Sequence, residues 1–452
     1  MMVLKPHANK YVDWLIITGV TCGMIYAGFS STEFSGSRPV LVIATIAAIV
    51  INILRVIPIK KLTINRSTSI LIIFYVYFLL KSIVDTGNFN FIINHTIGPT
   101  GGLFVFYLIG ITAAGILREI IKARLMSGAS YGFNVYYFLF LSFIFFVVGS
   151  LYMQNTGKMN VELFILDEQR NDYQKIGDYI SMSHVLISYV FFYGLNYAIS
   201  RYFAVVAIAF YAGISVILLL LSQLYRSNSG AAFVLFVFIY TVIMVNYKPR
   251  SFVIKKIFKL ITVISILILS LYYVITQIFH IDLLALRIFA DQGYSHNSQG
   301  SVESRVDLLK YYYYQLEYNP LFGNVIVDRL TTGEGTFAHS LFLSIQTHLG
   351  FFGLSLFVVY LYYLFKDNRF KYRDNSLSVF TVDYLYKKGM VVLVLVMSTA
   401  WAFFTWPPLW FTIAISYGIG SLSKNVYSGN LISTSKYSEA SLRVSAHQKV
   451  IT

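Results

Sequence analysis

The sequence predicts an all-α polytopic membrane protein of about twelve transmembrane helices, and three observations carry that reading. The first is composition. Of 452 residues, 57% are hydrophobic, 17% aromatic and only 12% charged, where a soluble globular chain is roughly a quarter charged. The second is a succession of apolar runs of about 17 to 25 residues, each long enough to cross a hydrocarbon core of roughly 30 Å. The third is the charge of the connections. With the N-terminus inside, the inner loops and tails carry 25 Lys and Arg against 5 Asp and Glu, while the outer loops carry 9 against 14. Lys81 and Asp13, placed in or at spans, complete the totals of 35 and 20. This is the positive-inside pattern, and it places both termini in the cytoplasm. The net charge of +15 therefore reflects topology, and no nucleic-acid partner is expected.

The spans fall at about 11–30, 39–54, 67–84, 101–117, 131–152, 180–200, 202–224, 229–247, 257–280, 339–365, 389–403 and 407–423. Only Trp406-Pro407-Pro408-Leu409-Trp410 divides the last two. The first run lacks a small-residue cleavage site and many spans follow it, so it reads as a helix rather than a signal peptide. Cys22, the one cysteine, lies inside that run and excludes both a disulfide framework and a cysteine metal site. Four regions result: a bundle of nine spans over 1–280, a long outer loop over 281–338 with an amphipathic helix, three further spans over 339–423, and a disordered cytoplasmic tail over 424–452.

Spans one to four hold little polar chemistry, and Asp85 stands alone in the outer loop after the third. His95, in the same loop, reads as a solvated histidine. The next outer loop carries Glu162, Asp167, Glu168, Asp172 and Asp178. Clustered carboxylates of this kind suit acid–base work or a cation, but a solvated acidic loop obeying the charge rule is the simpler reading. There is no internal repeat and no inverted pair of broken helices of the transporter kind.

Between spans seven and eight the chain reads Gln223-Leu224-Tyr225-Arg226-Ser227-Asn228-Ser229-Gly230. Span parity puts this turn outside, where basic residues are disfavoured, and Arg226 is its only charge. An arginine beside the membrane is costly unless it is paired or snorkels to the headgroups, so Arg226 is a functional candidate. Gly230 permits close backbone approach, and a helix N-terminus there offers N–H donors to an anion.

The stretch 301–353 is the long segment that combines charged residues, two arginines, a histidine and a glycine-rich turn in a chain otherwise mostly apolar. Val302, Val306, Leu309, Tyr313 and Leu316 recur at helical spacing, which predicts an amphipathic helix stopped by Asn319-Pro320. Arg305 and Arg329 stand out in an outer loop of 4 Lys and Arg against 7 Asp and Glu. Tyr311, Tyr312, Tyr313 and Tyr314 cover every side of one helical turn, as an interfacial belt or as stacking surfaces for sugar rings. After the turn Asn319-Pro320-Leu321-Phe322-Gly323 and a Gly/Thr-rich loop, His339 opens an apolar helix expected to run unbroken through Gly350 and Gly353 to Phe365. The inner connection 366–388 reads as a polar, basic loop.

No nucleotide loop, zinc-type histidine pair or nucleophile elbow is present. Two arginines and a histidine at the outer boundary, Arg226, Arg305 and His339, suit a membrane-embedded pyrophosphate. Guanidinium forks bind phosphate oxygens bidentately, and a histidine at a helix start acts as a base or donates to an anion. No cofactor and no metal is expected, because the arginines already supply positive charge.

Arg226-x3-Gly230, the Arg305 helix followed by Asn319-Pro320-Leu321-Phe322-Gly323, and His339 with ten residues to Gly350 resemble the O-antigen polymerase and ligase superfamily. His339-Ser340-Leu341-Phe342-Leu343 and His348-Leu349-Gly350-Phe351-Phe352-Gly353 are similar to its His-Asn-x-x-Leu and Glu-x-Gly-x-x-Gly stretches, with Ser340 for the usual Asn and His348 for an acidic residue. The motifs cover roughly 135 residues. The resemblance implies a C-type, metal-independent membrane glycosyltransferase of the bacterial inner membrane, with its active site at the periplasmic face. It implies that Arg226, Arg305 and His339 are catalytic, and that Gly230, Tyr312, Asn319, Gly323 and Arg329 help hold the substrate. The partners implied are an undecaprenyl-pyrophosphate-linked glycan, the lipid bilayer and a chain-length regulator protein. Polymerase is preferred to ligase because an aromatic-rich chain, Phe 38 and Tyr 36, looks like the product of a surface-polysaccharide cluster. A lipid-linked oligosaccharide flippase is the alternative from another class.

Overall fold

The computed structural model describes residues 66–87, 170–197, 204–224, 228–246, 312–332, 340–366, 379–401 and 408–419, together with Trp406 and six positions of a helix between Tyr107 and Leu117. Among the described residues every regular element is helical and there is no strand. The helices are α1 (Arg66–Thr86), α2 (Arg170–Tyr197), α3 (Ala204–Leu224), α4 (Asn228–Asn246), the short α5 (Val327–Thr332), α6 (Leu341–Lys366), α7 (Val379–Trp401) and α8 (Pro408–Ile419). By length and composition α1 and α6 are able to cross a membrane, while α2, α3, α4 and α8 contain shorter apolar stretches.

Helices α1, α3, α4 and α6 begin and end within two residues of the apolar runs expected there. The expected spans 11–30, 39–54, 131–152 and 257–280 lie outside the described residues. Two boundaries are corrected. Helix α2 begins at Arg170, well before the apolar run that starts at residue 180. Helix α7 begins at Val379, not near 389, and so takes Asp383, Lys387 and Lys388 out of the inner loop expected over 366–388. The reason is local compensation. Lys387 Nζ lies 2.5 Å from Asp383 Oδ2, both side chains are buried, and the Tyr193 hydroxyl donates to Asp383 Oδ1 at 2.5 Å. A buried ion pair is tolerated when each charge has a close partner and further hydrogen bonds.

Contacts between helices fix their relative directions. His184 Nε2 meets Ser215 Oγ at 3.0 Å and Ser188 Oγ meets the Tyr211 hydroxyl at 2.7 Å, so α2 and α3 run antiparallel. Tyr189 stacks edge-on against Tyr386, and Tyr193 bonds to Asp383, so α2 and α7 are antiparallel too. At one end of the α1–α6 pair the Arg66 guanidinium lies 5.9 Å from the Tyr363 ring centroid. Phe74 packs on Phe357 further along, and Tyr77 reaches Leu349 beyond that. These two helices are antiparallel. The helix between 107 and 117 runs parallel to α8: a Cβ on Gly110 would stand 2.7 Å from Ala414 Cβ, and one on Gly418 would stand 2.5 Å from Ala114 Cβ. Small residues four apart on both helices bring the two backbones together, a contact typical of membrane helices.

Trp410, fully buried on α8, joins the pieces. Its ring meets Tyr75 of α1 and both Phe357 and Tyr360 of α6 at centroid distances of 5.8, 6.3 and 6.2 Å. Offset and edge-on aromatic contacts of this kind add attraction beyond the area they bury.

Candidate functional site

Helix α6 is not continuous, contrary to the unbroken helix expected from His339 to Phe365. Gly350 has φ 67° and ψ −174°, outside the helical region and on the side of φ that glycine tolerates best. The break leaves backbone groups on both sides without helical partners, and the turn Asn319–Gly323 supplies them. The Phe351 and Phe352 N–H groups, which start the lower half of the helix, donate to the Pro320 and Leu321 carbonyls at 3.0 Å each. The Thr347 carbonyl, which ends the upper half, accepts the Asn324 N–H at 3.1 Å.

The sequence shapes the turn for this fit. Pro320 cannot continue the short helix over 312–317, and Asn319 adopts φ 60°, a left-handed conformation that asparagine tolerates better than most residues. The Asn319 carbonyl accepts the Gly323 N–H at 2.6 Å, and its side-chain oxygen accepts the Phe322 N–H at 3.3 Å. Gly323 has φ 70°, and a Cβ there would stand 2.4 Å from Gly350 N. A Cβ on Gly350 would in turn stand 2.3 Å from the Leu321 carbonyl oxygen. The two glycines face each other with no room for a methyl group on either.

Helix α1 clamps this interlock from the side. The Tyr77 hydroxyl lies 2.8 Å from the Phe322 carbonyl and 3.0 Å from the Leu349 carbonyl, so it bridges the turn and the break. Asp85 Oδ2 accepts the Val325 N–H at 2.8 Å while its other oxygen holds Lys81 Nζ at 2.5 Å. Above the break Tyr312 donates to Gln346 Oε1 at 2.5 Å. Partial burial, with Tyr313 alongside, raises the Tyr312 phenol above its ordinary pKa. His348 is buried next to the break, its Nδ1 2.9 Å from the Ser344 carbonyl, which can only accept, and 3.1 Å from Thr347 Oγ1.

Of the residues singled out from sequence, Tyr312, Asn319 and Gly323 therefore meet in one unit with Gly350. Gly230 is buried in the first turn of α4, and Arg329 lies on the short helix α5. Arg226, Arg305 and His339 lie outside the described residues. Tyr77 and Asp85 were not singled out as site residues. Asp85 gave a signal, being the only charge in its outer loop, but Tyr77 is one aromatic among many. Among the described residues no three His, Cys, Asp or Glu side chains gather in a metal-binding group.

Fold and site together define a helical protein, with helices able to cross a membrane, in which a loop turn is built into a broken helix. No protein family, no curated protein and no solved structure matches this chain.

Proposed function

We propose that the chain is a surface-polysaccharide polymerase of the O-antigen type: a metal-independent inner-membrane glycosyltransferase with both termini cytoplasmic. It transfers an undecaprenyl-pyrophosphate-linked glycan onto an undecaprenyl-linked repeat unit at the periplasmic face. One observation supports this reading most. The Asn319–Gly323 turn and the His348–Gly353 stretch, two separate pieces of the resemblance, interlock through reciprocal backbone bonds and facing glycines. The long outward apolar faces of α1 and α6 support the membrane setting. In this reading Arg226 and Arg305 hold the pyrophosphate oxygens, and His339 acts at the reacting centre.

Arg226→Ala and Arg305→Ala are each expected to lower transfer by roughly a hundredfold or more while insertion stays normal. Lysine should rescue poorly, since a point charge does not reproduce a bidentate fork. The assay is glycan transfer by purified protein in vesicles, and near-normal activity in both lysine variants would refute the pyrophosphate role. His339→Ala should lose most activity in the same assay. Cells lacking the protein are expected to carry lipopolysaccharide with core plus one repeat. Bare core with polymer left on the carrier would reassign the chain as a ligase that transfers glycan to lipid A core.

A second reading, a lipid-linked oligosaccharide flippase, is favoured by the buried Asp383–Lys387 pair, because charges inside spans suit a transport path. It predicts single repeats trapped on the cytoplasmic face when the protein is absent.

A further inference from the structure

Helix α1 measures how far the loop descends. At about 1.5 Å per residue, Tyr77 lies about 12 Å below Asp85 along the helix axis. Asp85 takes the Val325 N–H, whereas Tyr77 takes the Phe322 carbonyl. Within three residues the turn thus passes from the outer end of α1 to well inside its length. Helix α6 agrees. From Phe351 to Lys366 its lower half measures about 24 Å, against about 31 Å for the whole of α1, and the two inner ends meet where Arg66 lies over Tyr363. The lower half alone falls short of a hydrocarbon core of roughly 30 Å.

Irregular backbone lasts away from water only where its polar groups are satisfied internally. Here they are, nearly throughout. The N–H groups of Phe322, Gly323, Asn324, Val325, Ile326 and Val327 all donate within the protein. The carbonyls of Asn319, Pro320, Leu321, Phe322 and Asn324 all accept. Asn319 and Pro320, at the start of the turn, are exposed, and beyond them the outward surface is apolar: Leu321 and Phe322 are 55% and 46% exposed, beside exposed Phe351 and Phe352. The Phe352 ring packs on both Phe322 and Tyr77, at 6.2 and 4.9 Å, so this patch runs into the outward apolar faces of α6 and α1.

We propose that the 319–325 turn is re-entrant: it dips into the outer leaflet and sets Leu321 and Phe322 against lipid acyl chains. The occupant is lipid rather than another protein, because the patch is continuous with the outward apolar faces of α1 and of the lower half of α6, and most of the backbone polar groups behind it are bonded within the protein. The proposal rests on the reading of the chain as a membrane protein, and its test separates the two.

The test uses full-length protein carrying Cys22→Ser, reconstituted in phosphatidylcholine vesicles, with a nitroxide on Leu321→Cys or Phe322→Cys. Collisions with oxygen, which concentrates in acyl chains, are compared with collisions with an aqueous nickel chelate. Leu80→Cys, on the outward face of α1, is the lipid control, and Lys366→Cys is the water control. The expected oxygen-to-nickel ratio at 321 and 322 matches that at 80 and exceeds that at 366 several-fold. A ratio like that at 366, with 80 still lipid-like, would put the turn in water and overturn the proposal alone. Exclusion of both reagents would place a second copy or another protein on the patch and also overturn it. A water-like ratio at 80 would sink the membrane reading itself. Should both turn variants misfold, the label on Phe351→Cys, across the break, decides by the same ratios.

Discussion

Above Gly350, helix α6 carries Ser344, Gln346, Thr347 and His348, and every residue from Ser344 to Gly350 is buried. Below it, Phe357, Tyr360 and Leu364 turn inward, while Phe351, Phe352, Val358, Val359 and Tyr362 are exposed. The upper half is wrapped by the 312–332 segment and makes its polar contacts within the protein. The lower half has the one-sided apolar pattern of a helix with lipid along one face. A single stretch that reads as one span is thus two helices answering to two surroundings, and the glycine between them is where the loop enters.

The sharpest way to break this comparison is to close the gap between the halves. Gly350→Val forces a side chain into the Leu321 carbonyl at a positive φ, and a loss of roughly 3–5 kcal/mol, or of folded protein altogether, is expected. Thermal unfolding in detergent measures it, and a wild-type midpoint would mean that the interlock does not form. Next in size is the upper half. His348→Leu removes a buried group bonded to Ser344, and about 2–3 kcal/mol should be lost, read as a lower urea midpoint. A loss no larger than that of a lower-half variant would erase the contrast between the halves. Tyr77→Phe withdraws one hydroxyl from two carbonyls and should cost about 1–3 kcal/mol by the same assay. The smallest effect belongs to the exposed lower face, where Val358→Leu should stay within about 0.5 kcal/mol of the parent protein.

Much of the helical layout was legible in the sequence, because apolar runs and their connecting charges record burial and topology directly. The ends of α1, α3, α4 and α6 follow from them almost to the residue. The start of α7 did not, since Asp383 and Lys387 count as two charges in a pattern but behave as one neutral, bonded pair in the bundle. The break was hidden for a different reason. A glycine inside an apolar helix is usually only a weak spot, and what makes Gly350 a break is Gly323, far away along the chain. Both stretches were singled out, the turn for its proline and the helix for its glycines, but nothing in either gives their reciprocal fit. The roles proposed for Arg226, Arg305 and His339 come from residue type, position and the resemblance, so their test is chemical.

The close contact of Gly110 and Ala114 with Ala414 and Gly418 bears on the order of synthesis. The two partners are separated by about 300 residues, so at roughly 5–20 residues per second the earlier helix waits about 15–60 s for the later one to be made. Until then its small-residue face has no companion from this contact. A chain cut just before Pro408 would not give a shorter finished bundle, but one held open at the seam that α8 closes.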